Sequence, residues 1–248
     1  MLPCRLIIVL SFLAAASAKA DTIRWGFSPS DPAPYVVLQG GELGPSITRA
    51  LGERVADRLN MEVRFVEVPN NRIDRALRGG RIDLTCHTMP AWHQAPDQLI
   101  WSKPLYHDAD VIVVRAGARV PTRLADMRGM RVGTAHDQHY PPELVRAFRR
   151  GLVQRMNVRD ARTRLRMVEH DRLDASVERR YTMLYYLNRH PDSRLQVAPW
   201  ALSELRLRCA AEQEYRSTGK LTIAVIDTLA QEQQMADIFA GFGLALRD

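Results

Sequence analysis

The chain has 248 residues, 46% of them hydrophobic, and 35 Lys and Arg against 28 Asp and Glu give it a formal charge of +7. That apolar share is ample for a packed core, and the length suits one large domain or two small lobes. No segment beyond the first twenty residues approaches membrane-spanning length, and the arginines are scattered rather than striped, so the basic excess reads as a solvated surface or an attraction for an anionic ligand or membrane face, not as a nucleic-acid footprint.

The first twenty residues, MLPCRLIIVLSFLAAASAKA, place Arg5 before an apolar run from Leu6 to Ala16 and end in the small-x-small site Ala18-Lys19-Ala20. This is the pattern of a secretory signal peptide, residues 1–20, and predicts an exported, soluble mature chain. Cys4 and two positive charges, Arg5 and Lys19, would leave with it. Cys86 and Cys209 remain, both in predicted strands, and an oxidising compartment permits a disulfide as readily as two buried thiols.

Thr22 to Phe27 reads as a first strand. Gly44-Pro45 opens a helix carrying Ile47, Leu51, Val55 and Leu59 at helical spacing. Glu62 to Val68 alternates and is β-branched, a strand, and Arg72 to Arg78 makes a short helix ending at Gly79-Gly80. A strand from Ile82 to Cys86 follows, then a polar, aromatic-rich loop, then a β-branched strand from Val111 to Val114. This β-α-β-α-β order predicts an α/β fold with a parallel sheet and right-handed crossovers. Further on, helices are expected over Pro142 to Arg150, Ala161 to Glu169 and Tyr181 to Arg189, with strands over Leu173 to Val177 and Leu205 to Ala211. The tail from Lys220 to Phe242 is amphipathic.

Within Gly80–Arg115, the order Gly-Arg-Ile-Asp-Leu, loop, Trp101-Ser102-Lys103-Pro104-Leu105-Tyr106, crossing strand resembles the type II periplasmic solute-binding proteins of family 3, which include the polar amino-acid receptors of ABC importers and write it as Gly-x-Ile-Asp, loop, Phe-Ser-x-Pro-Tyr. Leu124 to Gly133 is similar to that family's second-lobe opening, Leu-Lys-Gly-Lys-x-Val-Gly. The resemblance spans nearly the whole mature chain. It implies two Rossmann-like lobes joined by two crossing strands: a discontinuous first lobe, 21–112 plus 207–248, and a second lobe, 113–206. It implies a periplasmic location, a ligand in the cleft between lobes, and closure on that ligand. It also sets the strand of Cys86 beside the strand returning with Cys209, which leaves a Cys86–Cys209 bridge and two buried free thiols as even alternatives.

The family's amino-acid receptors hold the ligand carboxylate with an arginine on the loop before Phe-Ser-x-Pro-Tyr. Here that loop, Thr88 to Asp97, has no arginine. They hold the ammonium with an aspartate just after the second-lobe Asp-Ala strand; here Asp174-Ala175 leads to Glu178 and Arg179. A standard α-amino acid is therefore not expected. The remaining cleft candidates are Tyr35, whose ring can cover a ligand; Asn70, Asn71 and Arg72 after the second strand; His87, Thr88, Trp92 and His93 on the critical loop; and Thr134 and His136 near a helix start suited to an anion. Glu178 stands in for the ammonium partner if the register slips by one, and Arg179 reads as an anion clamp.

His136-x-x-His139 with His87 and His93 is too loose a pattern for a metal site, and no phosphate-loop, Gly-x-Ser-x-Gly or His-Glu-x-x-His motif occurs. The expectation is a monomeric, cofactor-free and metal-free binding protein for a small polar or anionic solute, serving an ABC permease. An accessory of a membrane sensor or a periplasmic oxidation system is the alternative. Periplasmic dehydratases acting on cyclohexadienyl acids resemble the same family and define the enzymatic alternative, against which the missing loop arginine counts.

Overall fold

The computed structural model describes residues 21–136, 138–213 and 217–246. The predicted signal peptide lies outside the described residues, as does Asp137. No described helix is long and apolar enough to cross a membrane.

Strand β1 (Thr22–Phe27) leads through a long loop and the hairpin β2 (Leu38–Gln39) and β3 (Glu42–Leu43) to helix α1 (Ile47–Leu59). The hairpin turns on Gly40 and Gly41, at φ 61° and 88°, backbone that suits glycine. The helix starts later than Gly44-Pro45 suggests because the Ser46 side chain accepts from the Arg49 N–H and caps it. Next come β4 (Glu62–Glu67), a short 3₁₀ turn at Asn70–Arg72, α2 (Ile73–Arg78), β5 (Leu84–Thr88), β6 (Leu99–Trp101) and β7 (Tyr106–Arg115). The second half of the molecule holds β8 (Arg131–Thr134), α3 (Pro142–Arg149), β9 (Gln154–Asn157), α4 (Ala161–Glu169), β10 (Ala175–Arg179) and α5 (Arg180–Arg189). Strand β11 (Leu195–Glu212) and helices α6 (Ser217–Gln231) and α7 (Gln234–Ala240) complete the described chain.

Among the described residues, nine strands join in one sheet, in the order β4-β1-β5-β11-β7-β10-β8-β9, with β6 also on β11. β1 pairs in parallel with β4 and β5, and β8 in parallel with β9 and β10, so each half is a parallel unit. β7 and β11 are the two antiparallel strands that run from one half into the other: residues 195–207 of β11 pair with β7, and residues 208–212 with β5 and β6. The core divides accordingly. Trp25, Ile47, Leu51, Leu84, Leu229 and Phe239 pack in one cluster, while Val132, Leu144, Val177 and Ile112 pack in another. Helix α5 touches both halves, with Tyr181 against Tyr106 and Phe239, and Met183 in the core beneath α4.

Cys86 on β5 and Cys209 on β11 form a disulfide across paired strands. It closes a loop of 123 residues that contains the whole second half. Restricting so long a loop in the unfolded chain stabilises the fold by about 2–5 kcal/mol. Cys86→Ser with Cys209→Ser should lower the melting temperature by roughly 4–20 °C. The same drop should follow reduction of the wild-type chain, read by calorimetry; equal melting of oxidised and reduced protein would contradict it.

Candidate ligand-binding cleft

The loops beyond the carboxyl ends of the parallel strands converge on a cavity of about 420 Å³. From the first half come Ser28, Asp31 and Tyr35 after β1, Asn70 and Asn71 after β4, Asp74 on α2, and the β5 end with its loop from Thr85 to Gln94. From the second come Gln138 and His139 after β8 and Arg179 at the end of β10. The walls are polar, with Trp92 and Tyr35 as the large rings.

Arg179 caps the start of α5 and is buried. Its Nη1 donates to Asp110 Oδ1 at 2.6 Å, and Asp110 Oδ2 accepts from Ser203 Oγ at 2.6 Å. Its guanidinium carbon lies 4.9 Å from the centroid of the Trp92 ring, a cation–π contact that crosses the cleft. Trp92 also stacks on His139, ring centroids 5.6 Å apart and planes within 4°. Burial opposes the Arg179 charge, but Asp110 and Asp108 more than offset this and hold its pKa above the ordinary value. Burial raises the Asp110 carboxyl, and Arg179 and Ser203 pull it back only in part. Arg179 is thus not a free anion clamp; it already has a carboxylate.

Behind it, the Tyr35 hydroxyl donates to Asp108, whose carboxyl burial pushes up to about 6. Tyr35 stacks on Tyr106 at 6.2 Å, and Tyr106 Oη meets His87 Nδ1 at 2.7 Å. His87 sits at φ 58°, left-handed backbone that costs a non-glycine residue energy and is held by its surroundings. Burial lowers its pKa to about 3, so it is a neutral imidazole.

Two carboxylates face the cavity. Asp74 accepts from His93 Nδ1 at 2.5 Å and from the Gln94 N–H at 2.8 Å, and His93 Nε2 meets Thr88 Oγ1 at 2.8 Å. Asp31 has no ion pair at contact distance among the described residues. Burial pushes its carboxyl up to about 6, against a hydrogen bond from Asn70 and the field of Arg179.

Of the sequence candidates, Tyr35, Asn70, Asn71, His87, Thr88, Trp92, His93 and Arg179 line this cavity. Four do not. Arg72 is exposed on the 3₁₀ turn, and His136 is exposed beyond β8. Thr134 is buried, its hydroxyl bonding Asn157 and Arg155 across β8 and β9. Glu178 faces away from the cleft, paired with Arg164. Asp31, Asp74, His139 and Asp110 were missing from the sequence candidates. Asp31 shares a strand-end loop with Tyr35, which is a usable signal; Asp110 lies inside a strand that its own polar residues obscure. Among the described residues, no group of three or more His, Cys, Asp or Glu is placed to hold a metal ion.

No curated protein sequence matches the chain. Solved structures do. An ancestral arginine-binding protein bound to arginine superposes with a TM-score of 0.73 at 17% identity, over 90% of this chain and 99% of that one. A histidine kinase sensor domain with similarity to periplasmic binding proteins gives 0.74 at 19% identity, over 93% and 99%. The L-cystine solute receptor of Neisseria gonorrhoeae, in its unliganded open conformation, gives 0.61 at 17% identity, over 90% and 93%. The fold is therefore the two-lobed α/β periplasmic binding protein fold that the sequence led us to expect. With the cleft at the carboxyl ends of both parallel units, and residues 23–243 matching the family profile, the chain belongs to the bacterial extracellular solute-binding proteins, family 3.

Proposed function

We propose that this protein is a periplasmic receptor that captures a small polar solute bearing a positive charge, in the cleft between a first lobe of residues 21–112 plus 207–248 and a second of 113–206, and hands it to the permease of an importer. Asp31 carries the charge assignment. It is a cavity-wall carboxylate without a contact cation, beside an arginine already neutralised by Asp110. A bound cation supplies what Asp31 lacks, and Tyr35 offers an aromatic wall in the same loop. Arg75 and Arg78 also border the cavity, but both are exposed on α2, where water screens them. A membrane sensor is the second reading for the partner, favoured by the likeness to the histidine kinase sensor domain. Loss of the receptor would abolish uptake of the solute in the first case and only the response to it in the second.

Thermal unfolding against amines, basic amino acids, polyamines, organic acids and sugars tests the proposal. A ligand at about a thousand times its Kd adds roughly 4 kcal/mol, on the order of 8–16 °C for a chain this size. Hits among the cations support it, and hits confined to anions refute it. Asp31→Asn should have two opposite effects. With a folded pKa of about 6 above an ordinary 3.8, Asp31 contributes stability that is complete below 3.8 and lost as pH rises through 6. The variant should therefore melt roughly 2–8 °C above wild type at pH 7.5 and equal it at pH 4, given about 1–2 kcal/mol after screening. Its affinity for the cationic hit should fall roughly 100-fold. Unchanged stability and affinity at pH 7.5 would remove Asp31 from the site.

A further inference from the structure

Resting on the reading of the cleft as a cation receptor, we propose that Asp74 and His93 hold Thr88 as an acceptor-only contact, so that the solute is a cation with N–H groups to donate, a primary ammonium and not a quaternary one.

The proton positions follow from the ends of the chain of hydrogen bonds. The Asp74 carboxylate is tied at Oδ2 by the backbone N–H of Gln94, and its Oδ1 accepts from His93 Nδ1 at 2.5 Å. A carboxylate oxygen can only accept, so in its neutral form the imidazole of His93 carries its proton on Nδ1 and presents a lone pair at Nε2. Thr88 Oγ1, 2.8 Å from Nε2, fills that lone pair with its own hydroxyl proton. What Thr88 has left for the cavity is lone pairs. The ring of Trp101 packs edge-on against His93 at 5.2 Å and 78°, which fixes the imidazole plane. Thr88 and Asp31, both on the cavity wall, offer acceptors and no donors. A primary ammonium brings three donors to such a wall; a trimethylated one brings none and leaves desolvated acceptors unpaired. Asp74 and His93 act through Thr88 and are positioning residues.

Matched pairs separate the two kinds of cation: ethanolamine and choline, n-butylammonium and n-butyltrimethylammonium, and cadaverine and its derivative trimethylated at both nitrogens. They would be titrated calorimetrically into the intact chain at pH 8, above the ordinary histidine range. Wild type should bind the primary member of a pair at least about 10-fold more tightly, the worth of one hydrogen bond to a charged donor. The near-isosteric Thr88→Val should narrow that ratio to below about 3-fold by weakening only the primary member, and Thr88→Ser should keep it. Asp74→Asn lets residue 74 donate to Nδ1 and reverses the imidazole tautomer; it should narrow the ratio too, and carries the test alone if Thr88→Val does not fold. The inference is overturned if wild type binds both members alike, or if Thr88→Val weakens both equally. Silence from all six compounds would instead overturn the cation reading beneath it.

Discussion

Arg179→Met should destabilise the protein by about 3–5 kcal/mol at pH 7.5, or roughly 6–20 °C in melting temperature. Arg179 is the buried cation among three buried or partly buried acids, Asp31, Asp108 and Asp110, and its charge draws down the pKa of each. Removing it strands Asp110, which among the described residues then keeps the Ser203 hydroxyl alone as a side-chain donor. It also deletes the cation that sits on Trp92 and joins the two lobes across the cleft. The direction of the pH dependence follows from the acids. Without Arg179 their folded pKa values rise further above the unfolded ones, and such groups give stability that is present at low pH and lost as pH rises through the folded value. The deficit of the variant should therefore be largest near pH 8 and shrink toward pH 4. Arg179→Lys keeps the charge without the planar fork and should lose about half as much. Urea melts at pH 5 and 8 provide the measurement. A deficit that is constant with pH would mean that Arg179 contributes packing and not charge.

The elements legible in the sequence were those whose residues signal locally. β1 and α4 stand at their expected bounds, Thr22–Phe27 and Ala161–Glu169, because alternation in one and the Leu165 and Val168 stripe in the other are complete within the segment. β7 runs from Tyr106, not from Val111, and its first half was hidden by His107, Asp108 and Asp110. Those acids are tolerated in a buried strand only because partners 73, 69 and 93 residues away reach them: Tyr35, Arg179 and Ser203. β11 is 18 residues long, yet only Leu205 to Ala211 was expected, since Pro199 and the shifted register around Ala201 break the alternation. The cleft follows the same rule. The loops that line it could be placed from strand ends, but the pairings that decide its chemistry could not. Asp110 with Arg179 and Asp74 with His93 are meetings of segments that carry no local mark of each other.

Glu178 shows how much hangs on one residue of register, and its variant has the other large expected effect. Along β10, successive side chains alternate in direction, so Arg179 enters the cleft and Glu178 turns to α4. There Arg164 Nε and Nη2 each donate to a Glu178 oxygen at 2.8 Å, and Ser176 Oγ donates at 2.5 Å. Arg164 Nη1 also bonds the Val158 carbonyl at 3.1 Å. Both side chains are almost fully buried, at 2% and 1% exposure, so neither charge has water to fall back on. Arg164→Met or Glu178→Met alone should each cost about 3–5 kcal/mol, since each leaves a desolvated charge unpaired. The double variant should lose less than either, within about 2 kcal/mol of wild type, because replacing both members of a buried pair by apolar groups removes the desolvation together with the attraction. Urea melts of the four proteins measure the coupling directly. Additive losses would show that the pair is not coupled. Recovery in the double variant with cation binding intact would place Glu178 in the frame of lobe two: it holds α4 to β10 and so fixes where Arg179 enters the cleft, without touching the solute.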